Sequence, residues 1–255
     1  MAKYSRLHID CRFGDLADVK QTLLECNPDD ITQWLTTECE VSSNAPDTGS
    51  FTPFQMACWC GQLEIVKWLA AERKIDPNLP NKHRTTPLHM ACWGGHLETA
   101  KWLVEECKAD PMAKDLDDDT PLHLACWYGH LELAKWLVAE CHVDPHSANI
   151  DSLSPFLFAC WGGYATMAKW LLDDCKVDLN IPAAGRDTPL HLACSKGHLQ
   201  VVMWLVTECD ADLNLLNDDG LTPLQVACEA NHVEVIKWLV DQCDVTCSRK
   251  KGRFE

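Results

Sequence analysis

One heptapeptide recurs six times at a fixed spacing of 34 residues. The copies are Thr52-Pro-Phe-Gln-Met-Ala-Cys58, Thr86-Pro-Leu-His-Met-Ala-Cys92, Thr120-Pro-Leu-His-Leu-Ala-Cys126, Ser154-Pro-Phe-Leu-Phe-Ala-Cys160, Thr188-Pro-Leu-His-Leu-Ala-Cys194 and Thr222-Pro-Leu-Gln-Val-Ala-Cys228. A period this regular restricts the chain to a stack of small units that share one elongated core, so counting domains by length does not apply. Function in such a chain is read from the positions at which the copies differ.

Within one copy, Thr120 supplies a hydroxyl N-cap and Pro121 stands at the first helical position, where its missing N–H is not needed. The helix stops near Gly129. A second helical pattern follows over His130 to Cys141, with Leu131, Ala134, Leu137 and Val138 on one face. Val143-Asp144-Pro145 and its equivalents then lead into a polar turn such as Asp115 to Asp119. Each unit is therefore helix, tight turn, helix and extended loop, and the expected fold class is an all-α solenoid of helix-turn-helix units joined by short extended hairpin loops.

The period alone also suits a tetratricopeptide repeat. The run Thr-Pro-Leu-His-x-Ala followed by Gly-His-Leu-Glu, entire at 86–98 and 120–132, resembles the ankyrin repeat, and the resemblance covers residues 47–245 with a degenerate copy upstream. The expected organisation is a capping repeat over 1–26, an insertion over 27–46 with an extra helix, and six repeats over 47–80, 81–114, 115–148, 149–182, 183–216 and 217–249, followed by a short basic tail ending at 255. The chain departs from the family by one extra residue per unit, placed where Glu-Cys-Lys-Ala-Asp (106–110) replaces the family's Gly-Ala-Asp. That removes a glycine C-cap and predicts a slightly longer second helix. The ankyrin turn also carries glycine near its fourth position, which only Gly220 keeps, so the other tips are expected to differ in geometry.

A formal charge of −16 disfavours nucleic acid and acidic membranes as partners. No stretch is apolar for long enough to span a bilayer, and no apolar signal region follows Met1-Ala-Lys-Tyr. Sixteen cysteines would suit a disulfide framework in a short secreted chain. Here, however, most keep two fixed places in the repeat, Cys11, Cys58, Cys92, Cys126, Cys160, Cys194 and Cys228 in one series and Cys26, Cys107, Cys141, Cys175, Cys209 and Cys243 in the other. Apart from Cys11, which follows Asp10, the first series stands after alanine, as a thiol acting as a small hydrophobe would. The expectation is a reduced protein of the cytoplasm.

Residues that carry chemistry elsewhere recur here with the fold. No Gly-x-Ser-x-Gly, His-Glu-x-x-His, phosphate-binding glycine loop or Cys-x-x-Cys occurs. His89, His123 and His191 belong to the heptapeptide, and the resemblance implies that they tie the turn to its neighbours by hydrogen bonds. His96, His130, His198 and His232 follow the turn between helices and are read as structural. Neither Cys58 with Cys60 nor Cys243 with Cys247 has a second pair at zinc-finger spacing, and the acidic run Asp115 to Asp119 lacks the glycine and distal glutamate of a calcium loop. The expectation is a non-enzyme with no cofactor and no metal.

The tryptophans fall on two ladders. Trp34, Trp68, Trp102, Trp136, Trp170, Trp204 and Trp238 occupy the second helix without a gap, which suits packing between repeats. Trp59, Trp93, Trp127 and Trp161 occupy the end of the first helix, after which the position becomes Ser195 and Glu229. At 100° per residue, Trp93 lies about 140° from Leu88, far round from the core face. The resemblance places that face and the hairpin tips on a concave groove that holds partners. Two readings stand beside each other: binding anchors, or indoles packed over the histidine four residues earlier or the adjacent repeat. The abrupt end of the stripe favours binding. Candidate partner-binding residues are thus Trp59, Trp93, Trp127, Tyr128 and Trp161 with tip residues Lys82, His83, Arg84, Asp117, Asp119, Ile150 and Asp151. The partner is a protein or peptide, with neither nucleic acid nor membrane. Weak self-association through the ladders or open ends is the alternative role.

Overall fold

The structure, a computed structural model, describes residues 2–24 and 51–243. The helix expected around Trp34 and the basic tail lie outside them. Every regular element among the described residues is a helix: α1 (Ala2–Phe13), α2 (Leu16–Leu24), α3 (Pro53–Trp59), α4 (Leu63–Arg73), α5 (Pro87–Gly94), α6 (Leu97–Glu105), α7 (Pro121–Trp127), α8 (Leu131–Ala139), α9 (Pro155–Gly162), α10 (Ala165–Asp173), α11 (Pro189–Lys196), α12 (Leu199–Thr207), α13 (Pro223–Glu229) and α14 (Val233–Cys243), with one 3-10 turn at Ala184–Arg186.

The chain divides into two units, Met1–Asp144 and Pro145–Glu255. Each is a stack of helical hairpins. In the first, α1, α3, α5 and α7 pack in succession, and α2, α4 and α6 pack beside them; in the second, α9, α11 and α13 form one layer and α10, α12 and α14 the other. The core between the layers is the constant part of the heptapeptide. Leu88, Leu122, Leu190, Ala91, Ala125, Ala193, Cys92, Cys126 and Cys194 are all buried.

Each short first helix starts on an extended cap residue followed by proline. Except in α9, where Leu157 stands there, the third helical residue completes a reciprocal capping box, in which the Thr86 hydroxyl accepts from His89 N–H while the Thr86 N–H donates to His89 Nδ1. Gln55 and Gln225 take the same role through Oε1. Such caps matter in helices of seven or eight residues, which have few internal hydrogen bonds of their own.

Second helices close on a non-glycine residue in the left-handed region: Lys74, Lys108, His142, Lys176 and Asp210, with φ of 51–58°. The turn is held by a bond six residues long, one longer than in a Schellman motif, as from Ala109 N–H to Leu103 C=O at 2.9 Å. In the 81–114 unit, α6 stops at Glu105, and Glu106 to Ala109 form this closing turn.

The expected variation among hairpin tips is confined to the one that starts at Ala183. Arg84, Asp118, Ser152 and Arg186 hold φ of 57–61° where Gly220 holds 70°. In the first three the reason lies three positions upstream, at the first residue of the turn. The Asn81 carboxamide accepts from His83 N–H and Thr85 N–H at 3.0 Å each, and Asp115 and Asn149 repeat the pattern. Those bonds fix the turn and impose the left-handed residue whatever its side chain. Ala183 has no such acceptor, and its turn instead carries a second left-handed residue, Gly185.

Candidate functional site

Both histidine series serve the fold. Nδ1 of His89 accepts from the Thr86 N–H and hydroxyl, leaving Nε2–H to donate to the Asp119 carbonyl of the next repeat at 3.0 Å. His191 does the same with Leu221 at 3.0 Å. Burial pushes the His89 imidazole down to about 4 and the His191 imidazole downward, so both are neutral donors. In the second series, Nε2 of His130 donates to the Trp93 carbonyl at 3.0 Å, His198 to Trp161 at 2.9 Å and His232 to Ser195 at 2.9 Å. His96 bonds the Trp59 carbonyl in the same way.

Among the described residues, burial works against an activated cysteine nucleophile. Desolvation raises the thiols of Cys58, Cys92 and Cys160 far above their usual range and that of Cys194 to about 12. Cys107 and Cys141, less buried, are raised to about 11. Thiolate chemistry requires the opposite shift. Among the described residues no group of three or more histidine, cysteine or acidic side chains is arranged to hold a metal ion, and no helix is long and apolar enough to cross a membrane.

The first-helix tryptophans are neither fully exposed nor core: Trp59, Trp93, Trp127 and Trp161 are all half-buried. In the first unit they form one continuous aromatic row. Phe51 meets Trp59 at 6.3 Å and the edge of Trp93 at 5.9 Å; Trp59 meets Trp93 at 5.3 Å. Trp93 stacks on Tyr128 at 5.5 Å and 28°, and Tyr128 on Trp127 at 5.4 Å and 30°. Phe51 is buried beneath the row and was not legible as part of it, because it precedes the heptapeptide and recurs nowhere else. In the second unit Trp161 lies 5.9 Å from Phe158, with the Lys196 ammonium 5.1 Å from its ring centre. Thus the two sequence readings of this stripe coexist: each indole packs against a neighbour and keeps part of a face in solvent.

Second-helix indoles lie in a different setting. Trp204 is buried under Lys169, whose ammonium is 5.7 Å from the ring and 3.1 Å from Glu208. Trp68 lies between Lys20 and Arg73, at 5.4 and 5.1 Å.

Of the tip residues, Lys82, His83, Arg84, Asp117, Ile150 and Asp151 are exposed. Asp119 differs. It is buried, because its backbone closes the turn against Asp115 at both N–H and C=O while also accepting from His89. Consecutive tips are joined by backbone bonds, Leu116 N–H to His83 C=O at 3.0 Å, and Ala184 N–H to Asp151 C=O at 2.8 Å. The sequence reading missed that link, which spaces neighbouring tips at a fixed step.

Stacked helical hairpins with tip-to-tip bonds, a Thr-Pro cap and a histidine bonded to the next turn agree with a comparison against known families. The model for ankyrin repeats matches over 7–115, 75–151, 107–183 and 156–249. The chain belongs to the ankyrin-repeat family. A search of curated proteins found no match. Ankyrin repeats are in general protein–protein interaction modules and typically non-catalytic, and this ankyrin chain presents the aromatic row on the ends of its first helices.

Proposed function

We propose that this ankyrin-repeat protein is a non-catalytic scaffold or adaptor of the cytoplasm that holds a protein or peptide partner. The first unit contributes Trp59, Trp93, Tyr128 and Trp127 with the tips Lys82–Arg84 and Asp117. In the second unit Trp161, Ile150 and Asp151 are a candidate surface of their own. Asp119, being buried, belongs to the frame of the turn. The observation that carries the reading is the half-buried row from Trp59 to Trp127, with rings 5.3–5.5 Å apart. Rigid aromatic faces that are already stacked offer a large contact area at little entropic cost on binding. The charge of −16 supports a neutral or basic partner and speaks against nucleic acid. The cysteine usage supports a reducing compartment.

Replacing Trp93 and Trp127 together by alanine tests this. Partner capture from the native cell is lost while helical circular dichroism and the melting transition persist. If capture continues unchanged the groove is elsewhere, and if the variant unfolds the indoles are core.

A second reading, self-association, is favoured by Val233 and Val240, which stand 46% and 41% exposed on α14. Sedimentation across a concentration series separates the two, since a chain that stays monomeric excludes it.

A further inference from the structure

We propose that the aromatic row of the first unit receives arginine side chains from an extended segment of a partner protein, the guanidinium groups lying flat on the indole and phenol faces. This rests on the groove reading above and adds the chemistry of the occupant.

The protein itself shows how such a group sits. The Arg12 guanidinium lies 5.3 Å from the Trp59 ring centre and 4.6 Å from that of Phe13, at one end of the row. Its side chain also hydrogen-bonds the Cys60 thiol next to Trp59. Elsewhere the molecule repeats the motif, with Lys196 on Trp161 and both Lys20 and Arg73 on Trp68. Indole faces in this fold are therefore electrostatically matched to cations.

Beyond Arg12 the row continues as near-parallel platforms, Trp93 on Tyr128 and Tyr128 on Trp127, inclined by 28° and 30°. A planar, weakly hydrated guanidinium extends such a stack, whereas a compact ammonium does so less well. Charge points the same way. With 38 acidic against 22 basic side chains, the chain attracts a cationic segment and repels an acidic one. The exposed tip Lys82-His83-Arg84 opposes a uniformly basic sequence, so the segment carries few arginines among neutral residues.

The full-length chain is titrated with a 12-residue peptide bearing two arginines among otherwise neutral residues, followed by indole fluorescence, alongside peptides with citrulline, lysine or glutamate at the same places. The arginine peptide is expected to bind at least tenfold more tightly than the citrulline peptide, to retain most of its affinity in 0.5 M salt, and to rank above lysine. Trp93→Ala with Trp127→Ala abolishes that preference. Trp93→Phe with Trp127→Phe keeps the flat faces and the packing but weakens the attraction for cations, and reduces the preference severalfold. Equal binding of the arginine and citrulline peptides overturns the inference, as does no arginine-peptide binding at millimolar concentration. If in either case partner capture still depends on Trp93 and Trp127, the groove reading stands and only the arginine assignment falls.

Discussion

Gly95 and His130 meet across the boundary between two repeats, the imidazole of one occupying the space that a side chain on the other would need. A Cβ at Gly95 would fall on His130 Nδ1, well inside van der Waals contact. That close approach lets His130 Nε2 reach the Trp93 carbonyl at 3.0 Å and satisfies an acceptor at the end of α5. The pair recurs as Gly163 with His198 and Gly197 with His232. The aromatic row stands on this joint, since the bonded carbonyl belongs to Trp93 itself.

Gly95→Ala is expected to cost about 2–3 kcal/mol, combining the left-handed φ of 77° with displacement of His130. Gly185→Ala also sits at positive φ, 76°, but meets nothing within 4 Å, and is expected to cost only about 1 kcal/mol. Urea denaturation of the two variants checks the order, and equal losses would show that the His130 contact contributes nothing.

Lys108→Gly is expected to stabilise the protein by about 0.5–1 kcal/mol. Lys108 closes α6 at φ 57°, a conformation glycine adopts without strain, and its neighbour Ala109 already supplies the closing bond to Leu103. A rise in the thermal midpoint supports this account; a fall would mean that the Lys108 side chain contributes more than its backbone strain removes.

Acidification should destabilise the fold between about pH 6.5 and 4. In the folded state His89 resists protonation, because Nδ1 already accepts from Thr86 and the ring is buried. The unfolded chain binds a proton from about pH 6.5 downward, and the folded one only near 4. Stability is therefore full above the unfolded value and falls as pH drops, by up to about 3 kcal/mol from this residue. His96, His191 and His198 shift in the same direction. His89→Gln, which copies the Gln55 side chain that donates to Thr85 C=O at 3.0 Å, should reduce the difference in urea midpoint between pH 7.5 and 4.5. An unchanged difference would remove His89 from the account.

Cys92, Cys126 and Cys160 should resist a thiol reagent in the native state and react on unfolding. All three are buried, and desolvation raises the thiols of Cys92 and Cys160. Peptide mapping after brief labelling at pH 8 checks this, and rapid native labelling at Cys92 would contradict its place in the core.

The sequence by itself determined the repeat, the two helices of each unit, the Thr-Pro start, the glycine stop and the buried alanine–cysteine pair. These follow from interactions within a few residues of one another, so a periodic pattern records them directly. Only the tertiary structure decided how one copy meets the next. The Asn81 and Asp115 side chains shape their tips through bonds only two and four residues away, but that His89 would reach Asp119 and enclose it while Asp117 stays in water, and that the half-buried indoles would join Phe51 and Tyr128 in a single row, depends on contacts between residues some 30 or more positions apart. At that distance a side chain is selected by the neighbour it touches and not by its place in the period. The sequence located the tryptophan stripe; the stacking of repeats made it a surface.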